Sequence, residues 1–239
     1  MPLAPQNTVP PHNNFTVVVL AKAAVPGQVK TRLTLGDNGL SPENAAAVHA
    51  AMMQATLDRV ALFTQAQHGL LAMDHPAMAP QAARKAGWTV IDQGDGTLGD
   101  RIARAWAAAG NGPVAFFGVD CPDVPSHALA SIQSTLQDHD AAVGPVDDGG
   151  YWTLAAARPH PELLVDIDWG TGAVYDQTQN AAARAHIQLA ALPQWHDVDH
   201  PADLLALRDR LHQSRQHRHD PALDQLADEI NRLIAPPFQ

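Results

Sequence analysis

The sequence predicts an α/β fold built on a largely parallel sheet, and three observations carry that prediction. Short, apolar, often β-branched runs alternate with longer Ala-rich periodic segments, the order expected of repeating strand–helix units. The composition suits such a fold: 46% of the residues are hydrophobic but only 5% aromatic, so Ala, Leu and Val dominate the buried surface. Segments rich in Gly, Asp, Lys or Arg directly follow predicted strands, as ligand-binding loops do at the carboxyl ends of a parallel sheet. At 239 residues the chain accommodates one sizeable domain with its own core.

The elements follow in order. Residues 15–20 are a β-branched apolar run of the kind that is buried on both faces of a sheet. Ser41 caps and Pro42 begins an Ala-rich helix that runs to about Leu62. A strand at 70–73, a short helix at 80–85, a strand at 88–91, a helix at 100–109 and a strand at 114–117 continue the alternation. A helix at 126–137 precedes two strands, 141–143 and 151–155, that only acidic residues and glycines separate, so here the helical alternation breaks. The remainder reads as a helix at 172–185, a strand at 187–192, and helices at 201–211 and 221–234. We expect a flexible tail at 1–14, one α/β domain at 15–215 and a C-terminal helix at 216–239 packed on it or flanking it. His212, His217 and His219 read as a solvated junction between two helices.

Charge narrows the function. A net charge of −10 with no Lys/Arg stripe disfavours nucleic acid as a partner. A small phosphorylated ligand stays open, because a local cation cluster dominates a pocket from which distant charge is screened. Cys121 is the only cysteine, which excludes an intrachain disulfide and fits a reducing compartment. Neither a signal peptide nor a membrane span is visible, so the sequence reads as cytoplasmic.

Four post-strand segments carry candidate chemistry. The first, 22–32, gathers Lys22, Lys30 and Arg32 around a flexible Gly27, with Thr31 between the last two cations. It is not a P-loop, since Val29 rather than Gly precedes Lys30, but two point charges and one guanidinium fork suit phosphate oxygens. The second, 94–101, holds Gly94, Gly96, Gly99 and Arg101; it matches G-x-G-x-x-G literally, with Asp120 at a later strand end, which raises an NAD-binding dehydrogenase as an alternative. That fingerprint belongs to the first strand–helix unit of a domain, whereas here it follows the third strand, and a capped tight turn explains it equally.

The third segment places Asp120 and Asp123 just past a buried strand, with Pro122 between them. Two ionised carboxylates about 4 Å apart repel by about 4 kcal/mol at an effective dielectric near ~20, and a divalent cation reverses that sign. Oxygen ligands of this kind suit Mg²⁺ or Mn²⁺; for Asp123 the alternative is that it caps the following turn. The fourth combines Asp147, Asp148, Gly149 and Gly150 with Tyr151 and Trp152, which reads either as a substrate loop or as a hairpin turn.

Together these segments resemble a DUF2064-type family of bacterial glycosyltransferases associated with arsenosugar and radical-enzyme gene clusters, related to molybdopterin-type nucleotidyltransferases. The likeness spans most of residues 15–205. Residues 21–33 follow the family's Ala-Lys-Ala-Pro-x-Pro-Gly-x-x-Lys-Thr-Arg-Leu loop except that Ala24 replaces the first proline, and Asp-Cys-Pro-Asp at 120–123 is complete. Gln93 and 96–102 follow the Gln, Gly-Asp-Leu-Gly-Glu-Arg-Met segment with Thr97 in place of its Asp, which leaves Gly94 outside the pattern. Gly144, Pro145 and 148–151 match the Gly-Pro-x-x-Asp-Gly-Gly-Tyr segment, 169–171 the Trp-Ser/Gly-Thr segment, and 197–204 the Asp-x-Asp-x-Pro-x-Asp-Leu segment.

The resemblance implies a GT-A fold of the nucleotide-diphospho-sugar transferases: a three-layer α/β/α sandwich with a mostly parallel mixed sheet. It implies metal-dependent transfer from a nucleotide-activated donor, either of a glycosyl group from a nucleotide-sugar to a small acceptor or, alternatively, of a nucleotidyl group from a nucleoside triphosphate with release of pyrophosphate. On this reading Lys22, Gly27, Lys30, Thr31, Arg32, Gly99 and Arg101 surround the phosphates, and Asp120 with Asp123 holds Mg²⁺ or Mn²⁺. Asp148 acts as the catalytic carboxylate. Asp147, Gly149, Gly150, Tyr151, Trp152, Trp169 and Thr171 line the acceptor side, where the two tryptophans either stack on the substrate or pack in the core.

Overall fold

The structure, a computed structural model, describes residues 14–37, 39–215 and 219–234. Apart from Asn14 the expected tail at 1–14 lies outside them, as does His217. In chain order the elements are β1 (Thr16–Ala21), α1 (Pro42–Phe63), β2 (His68–Met73), α2 (Gln81–Lys85), β3 (Thr89–Asp92), α3 (Leu98–Ala109), β4 (Val114–Phe117), α4 (Ser126–Asp138), β5 (Ala141–Pro145), β6 (Tyr151–Ala156), α5 (Val174–Arg184), β7 (Leu189–Ala191), α6 (Pro201–Arg215) and α7 (Pro221–Ile234).

The strands form one seven-stranded mixed sheet in the order β3-β2-β1-β4-β6-β5-β7. Only β6 runs antiparallel to its neighbours, because the tight turn from β5, closed by Val146 N–H donating to the Gly150 carbonyl at 3.1 Å, leaves no room for a crossover. Alternation along β1 divides the layers. Val17 and Val19 pack with Met53 and Leu57 of α1 and Leu129 and Ile132 of α4, whereas Val18 packs with Ile102 and Trp106 of α3 on the opposite face. Beyond α1, α6 and α7 bury Leu204, Leu207, Leu226 and Ile230 against Val48, Met52 and Ala55.

Local chemistry sets the ends of the elements. The Ser41 hydroxyl accepts from Asn44 N–H to cap α1 at the expected residue. Thr97 and Asp100 form a reciprocal capping box that starts α3 earlier than the helix expected from residue 100. The helix expected over 172–185 is shorter, as Gly172 is taken up in contact with the β5–β6 turn. The strand expected at 187–192 is regular only over Leu189–Ala191; from Leu192 onward the chain departs from the regular ladder and keeps single contacts to Val143, Pro145 and Val146. That departure decides the site.

Candidate functional site

β1 to β5 and β7 point their carboxyl ends toward one edge of the sheet, and antiparallel β6 begins there. After β7 the chain turns along this edge: Leu192 N–H donates to the Val143 carbonyl at 2.8 Å, Trp195 N–H to Pro145 at 3.0 Å, and Val198 N–H to Asp120 at 3.0 Å. Residues 192–199 are thereby carried from the end of β5 to the end of β4. They deliver Asp197 and Asp199 to the loops that follow β1 and β4.

A cleft of about 520 Å³ opens at this edge. Of the residues singled out from sequence, Lys22, Lys30, Thr31, Arg32, Arg101, Asp120, Tyr151 and Trp152 line it, joined by His49, Gln93 and Asp199. The loop after β1 is held by Ala23 N–H donating to the Asp74 carboxylate at 2.7 Å and by the His49 Nε2–H donating to the Lys22 carbonyl at 2.9 Å. Gly27 takes a positive φ of 75° in the turn. Lys30 adopts the left-handed region at φ 47°, an unfavourable conformation for a residue with a Cβ.

What holds Lys30 there is a full set of acceptors. Its ammonium lies 2.6 Å from an Asp120 oxygen, 3.1 Å from Asp199 and 2.5 Å from the Val198 carbonyl. Burial opposes the charge, but the two carboxylates outweigh it and hold the ammonium's pKa above its ordinary value. All three of its N–H donors are therefore spoken for within the protein. Arg32 shares Asp199 at 2.9 Å but remains 63% exposed at its side chain, with donors to spare. Lys22 and Arg101 have no carboxylate partner among the described residues.

Carboxylates crowd the same place. Oxygens of Asp148, Asp197 and Asp199 lie within 4.8 Å of one another. Asp197 is pushed up to about 6 by burial and by the neighbouring charges of Asp148, Asp199 and Asp120. The Asp148 carboxylate also accepts from Gly150 N–H at 2.8 Å, which fixes the turn between β5 and β6. Gly149 is required in that turn: at φ 85° an added Cβ would stand 2.0 Å from the Gly172 carbonyl oxygen. Asp147 faces the chain after β7, bonded to His196 at 2.5 Å and Gln194 at 2.7 Å, and the His196 contact holds its carboxyl below the usual range.

Several expected residues stand elsewhere. The Asp123 carboxylate is buried and bonded to Arg210 Nε at 2.7 Å and Trp195 Nε1 at 3.0 Å, so its oxygens are engaged away from the cleft; neither metal ligation nor capping of the next turn describes it. Gly99 is buried beneath Trp169, whose Nε1 would lie 2.4 Å from an added Cβ, and does not line the cleft. Trp152 is 3% exposed, stacks on Phe117 and donates to the Pro193 carbonyl, which makes it part of the floor. Trp169 stands half-buried, edge-on to Tyr151 at 6.4 Å, and the Thr171 hydroxyl donates to the Asp168 carbonyl.

Sequence reasoning assigned no role to Asp197, Asp199, His49 or Gln93. The Asp-x-Asp pattern after the last strand was the available signal for the first two. His49 and Gln93 are buried polar residues with a ring or amide nitrogen lacking a partner, which only their three-dimensional surroundings reveal. Gly94 follows β3, the edge strand, so the dinucleotide fingerprint lacks the central position it requires.

A family model for uncharacterized proteins conserved in bacteria, DUF2064, matches residues 47–171. The structure is similar to a candidate nucleotide-diphospho-sugar transferase from Desulfovibrio desulfuricans G20, with TM-score 0.73, 27% identity, and coverage of 92% of this chain and 96% of the other. A nucleotidyl transferase from Methanothermobacter thermautotroptrophicus shares the fold at TM-score 0.57 and 19% identity, covering 85% of this chain and 100% of the other. A cytidylyltransferase from Leptospira borgpetersenii does so at TM-score 0.53 and 11% identity, covering 95% and 99%. No curated protein matches the sequence.

Proposed function

The chain belongs to DUF2064, a family of uncharacterized proteins conserved in bacteria, and on that premise we propose that it is a transferase that moves a glycosyl group from a nucleotide-sugar to a small acceptor with the help of a divalent cation. The observation that carries this reading is a cleft lined by Lys22 and Arg101, which have no carboxylate partner among the described residues, that adjoins through Asp199 a cluster of carboxylates formed with Asp148 and Asp197. The likeness to the Desulfovibrio protein supports the donor class. Residues 15–215 form the transferase domain in this proposal, flanked by α7.

Lys22, Arg101 and the free side of Arg32 bind the diphosphate by charge-assisted hydrogen bonds. Lys30 acts differently from a phosphate ligand: it sets the spacing of Asp120 and Asp199. Asp197 and Asp199 hold the cation, flanked by Asp120 and Asp148. The clustering of the three carboxylates supports that fit, and the pKa of Asp197, raised first by burial and then by the charges of Asp148, Asp199 and Asp120, agrees with it. When bound, Mg²⁺ or Mn²⁺ supplies positive charge against the departing diphosphate. Asp148, on the exposed side of the cluster, takes the proton of the acceptor hydroxyl.

The test is calorimetric titration of UDP- and GDP-sugars, with excess Mn²⁺ and with EDTA, followed by product analysis. Metal-dependent binding and release of a nucleoside diphosphate are expected. Release of pyrophosphate from a nucleoside triphosphate would replace glycosyl with nucleotidyl transfer, and metal-independent binding of NAD alone would overturn both.

A further inference from the structure

Arg59, near the C-terminal end of α1, is 3% exposed and does not line the cleft. Its guanidinium divides three donors between two elements. Nη1 donates to the Pro122 carbonyl and Nη2 to the Val124 carbonyl, each at 2.7 Å, while Nε donates to the Asp220 carboxylate at 2.8 Å. Asp220 is itself 5% exposed and receives Leu223 N–H at the start of α7. Desolvating such a pair costs several kcal/mol, and an apolar side chain in its place is often as stable. A buried ion pair at this position therefore calls for a reason other than stability.

The loop it grips supplies one. Pro122 and Val124 belong to the segment that carries Asp120, and apart from the Lys30 contact to Asp120 the other anchors of that segment come from the C-terminal part of the chain. The Asp120 carbonyl receives Val198 N–H at 3.0 Å, and the Asp123 carboxylate is held by Arg210 of α6 and by Trp195. The loop's backbone and its Asp123 are thus tied down on the side away from the cleft, leaving only the Asp120 carboxylate facing Lys30. A lysine cannot replace Arg59 here, because two carbonyls and a carboxylate around one plane match the guanidinium fork and not a single ammonium.

We propose that Arg59 is a positioning residue, which fixes the Asp120 loop through the Pro122 and Val124 carbonyls and couples it through Asp220 to the start of α7. Its consequence for ligand binding rests on the reading of Asp120 as part of the site. The anchoring itself does not.

Two variants of the full chain, Arg59→Lys and Asp220→Asn, are compared with wild type by site-resolved amide hydrogen exchange and by Mn²⁺-dependent titration of UDP. In Arg59→Lys, exchange at Val198, whose N–H is held by the Asp120 carbonyl, should accelerate about tenfold or more, while the amides of β1 and β2 stay protected. UDP affinity in Mn²⁺ should fall several-fold. Asp220→Asn keeps an acceptor for Arg59 and should give a smaller acceleration at the same amide. Acceleration spread evenly over the chain, or confined in Asp220→Asn to the first turn of α7, would show that the pair is merely structural and overturn the proposal. Should wild type bind neither Mn²⁺ nor UDP, the functional reading fails, and exchange at Val198 still decides the role of Arg59.

Discussion

The loop after β1 and the stretch after β7 meet at the mouth of the cleft, and they differ in a way that explains the site. The first is cationic and conspicuous by composition; the second is acidic and comes after a strand of only three residues. Lys30 and Val198 are separated by 168 residues, yet the ammonium of one lies against the carbonyl of the other. Each loop cancels part of the other's charge. What remains free for a ligand is a remainder that neither loop shows alone: Lys22 and Arg101 on one side, and the surplus carboxylates on the other.

If that division is right, the two cations of the first loop that touch Asp199 should respond very differently to removal. Lys30→Met should lower folding stability by about 2 kcal/mol, below the full cost of breaking a buried pair because Asp120 and Asp199 are partly exposed, while Arg32→Ala should change it by less than about 0.5 kcal/mol. Urea denaturation measures both. Equal losses would mean that Lys30 is not the centre of the contact.

The same variant sharpens the acidic side. Without the ammonium, Asp120 loses its counter-ion and Asp199 keeps only Arg32, so saturating Mn²⁺ should raise the melting temperature of Lys30→Met more than that of wild type. A thermal-shift series in Mn²⁺ and in EDTA checks this, and identical shifts would place the cation away from these carboxylates.

For the free cations the expected effect is on binding. Lys22→Ala and Arg101→Ala should each weaken binding of UDP about tenfold, or about 1.4 kcal/mol, with unfolding midpoints unchanged. Calorimetry at fixed ionic strength reads the loss; unaltered affinity in both would remove the diphosphate from this side of the cleft.

The smallest effect concerns pH. Burial holds the His49 imidazole below its ordinary value of 6.5, partly offset by its bond to the Lys22 carbonyl. The unfolded chain therefore takes up the proton first, and the stability that depends on neutral His49 is present above the ordinary value and is lost as pH falls below it toward the folded value. Between about pH 7.5 and about pH 5.5, wild type should lose more stability than His49→Gln. Parallel curves for the two proteins would show that His49 does not contribute.

Much of this architecture was readable in the residues themselves. Val17 to Val19 announce a strand buried on both faces, Ser41-Pro42 a helix start, and Asp120 a carboxylate at a strand end; all three stand where such local signals put them. The site was readable in part. In sequence Asp123 was set apart from Asp120 only by the alternative that it caps the following turn, and what separates them in space is Arg210, far along the chain. Gly99 was legible as a glycine but not as the seat of Trp169.

The sequence by itself determined the alternation of elements, their caps and the residue types at the strand ends, because those depend on neighbours within a turn or a pleat. Only the tertiary structure decided which charges are spent on one another and which remain free. Lys30, an apparent phosphate ligand by its loop, is claimed by Asp120 and Asp199; Lys22, in the same loop, is not. The physical reason is that an ion pair depends on distance in space, and the course of residues 192–199 along the carboxyl ends of β5 and β4 is what sets that distance.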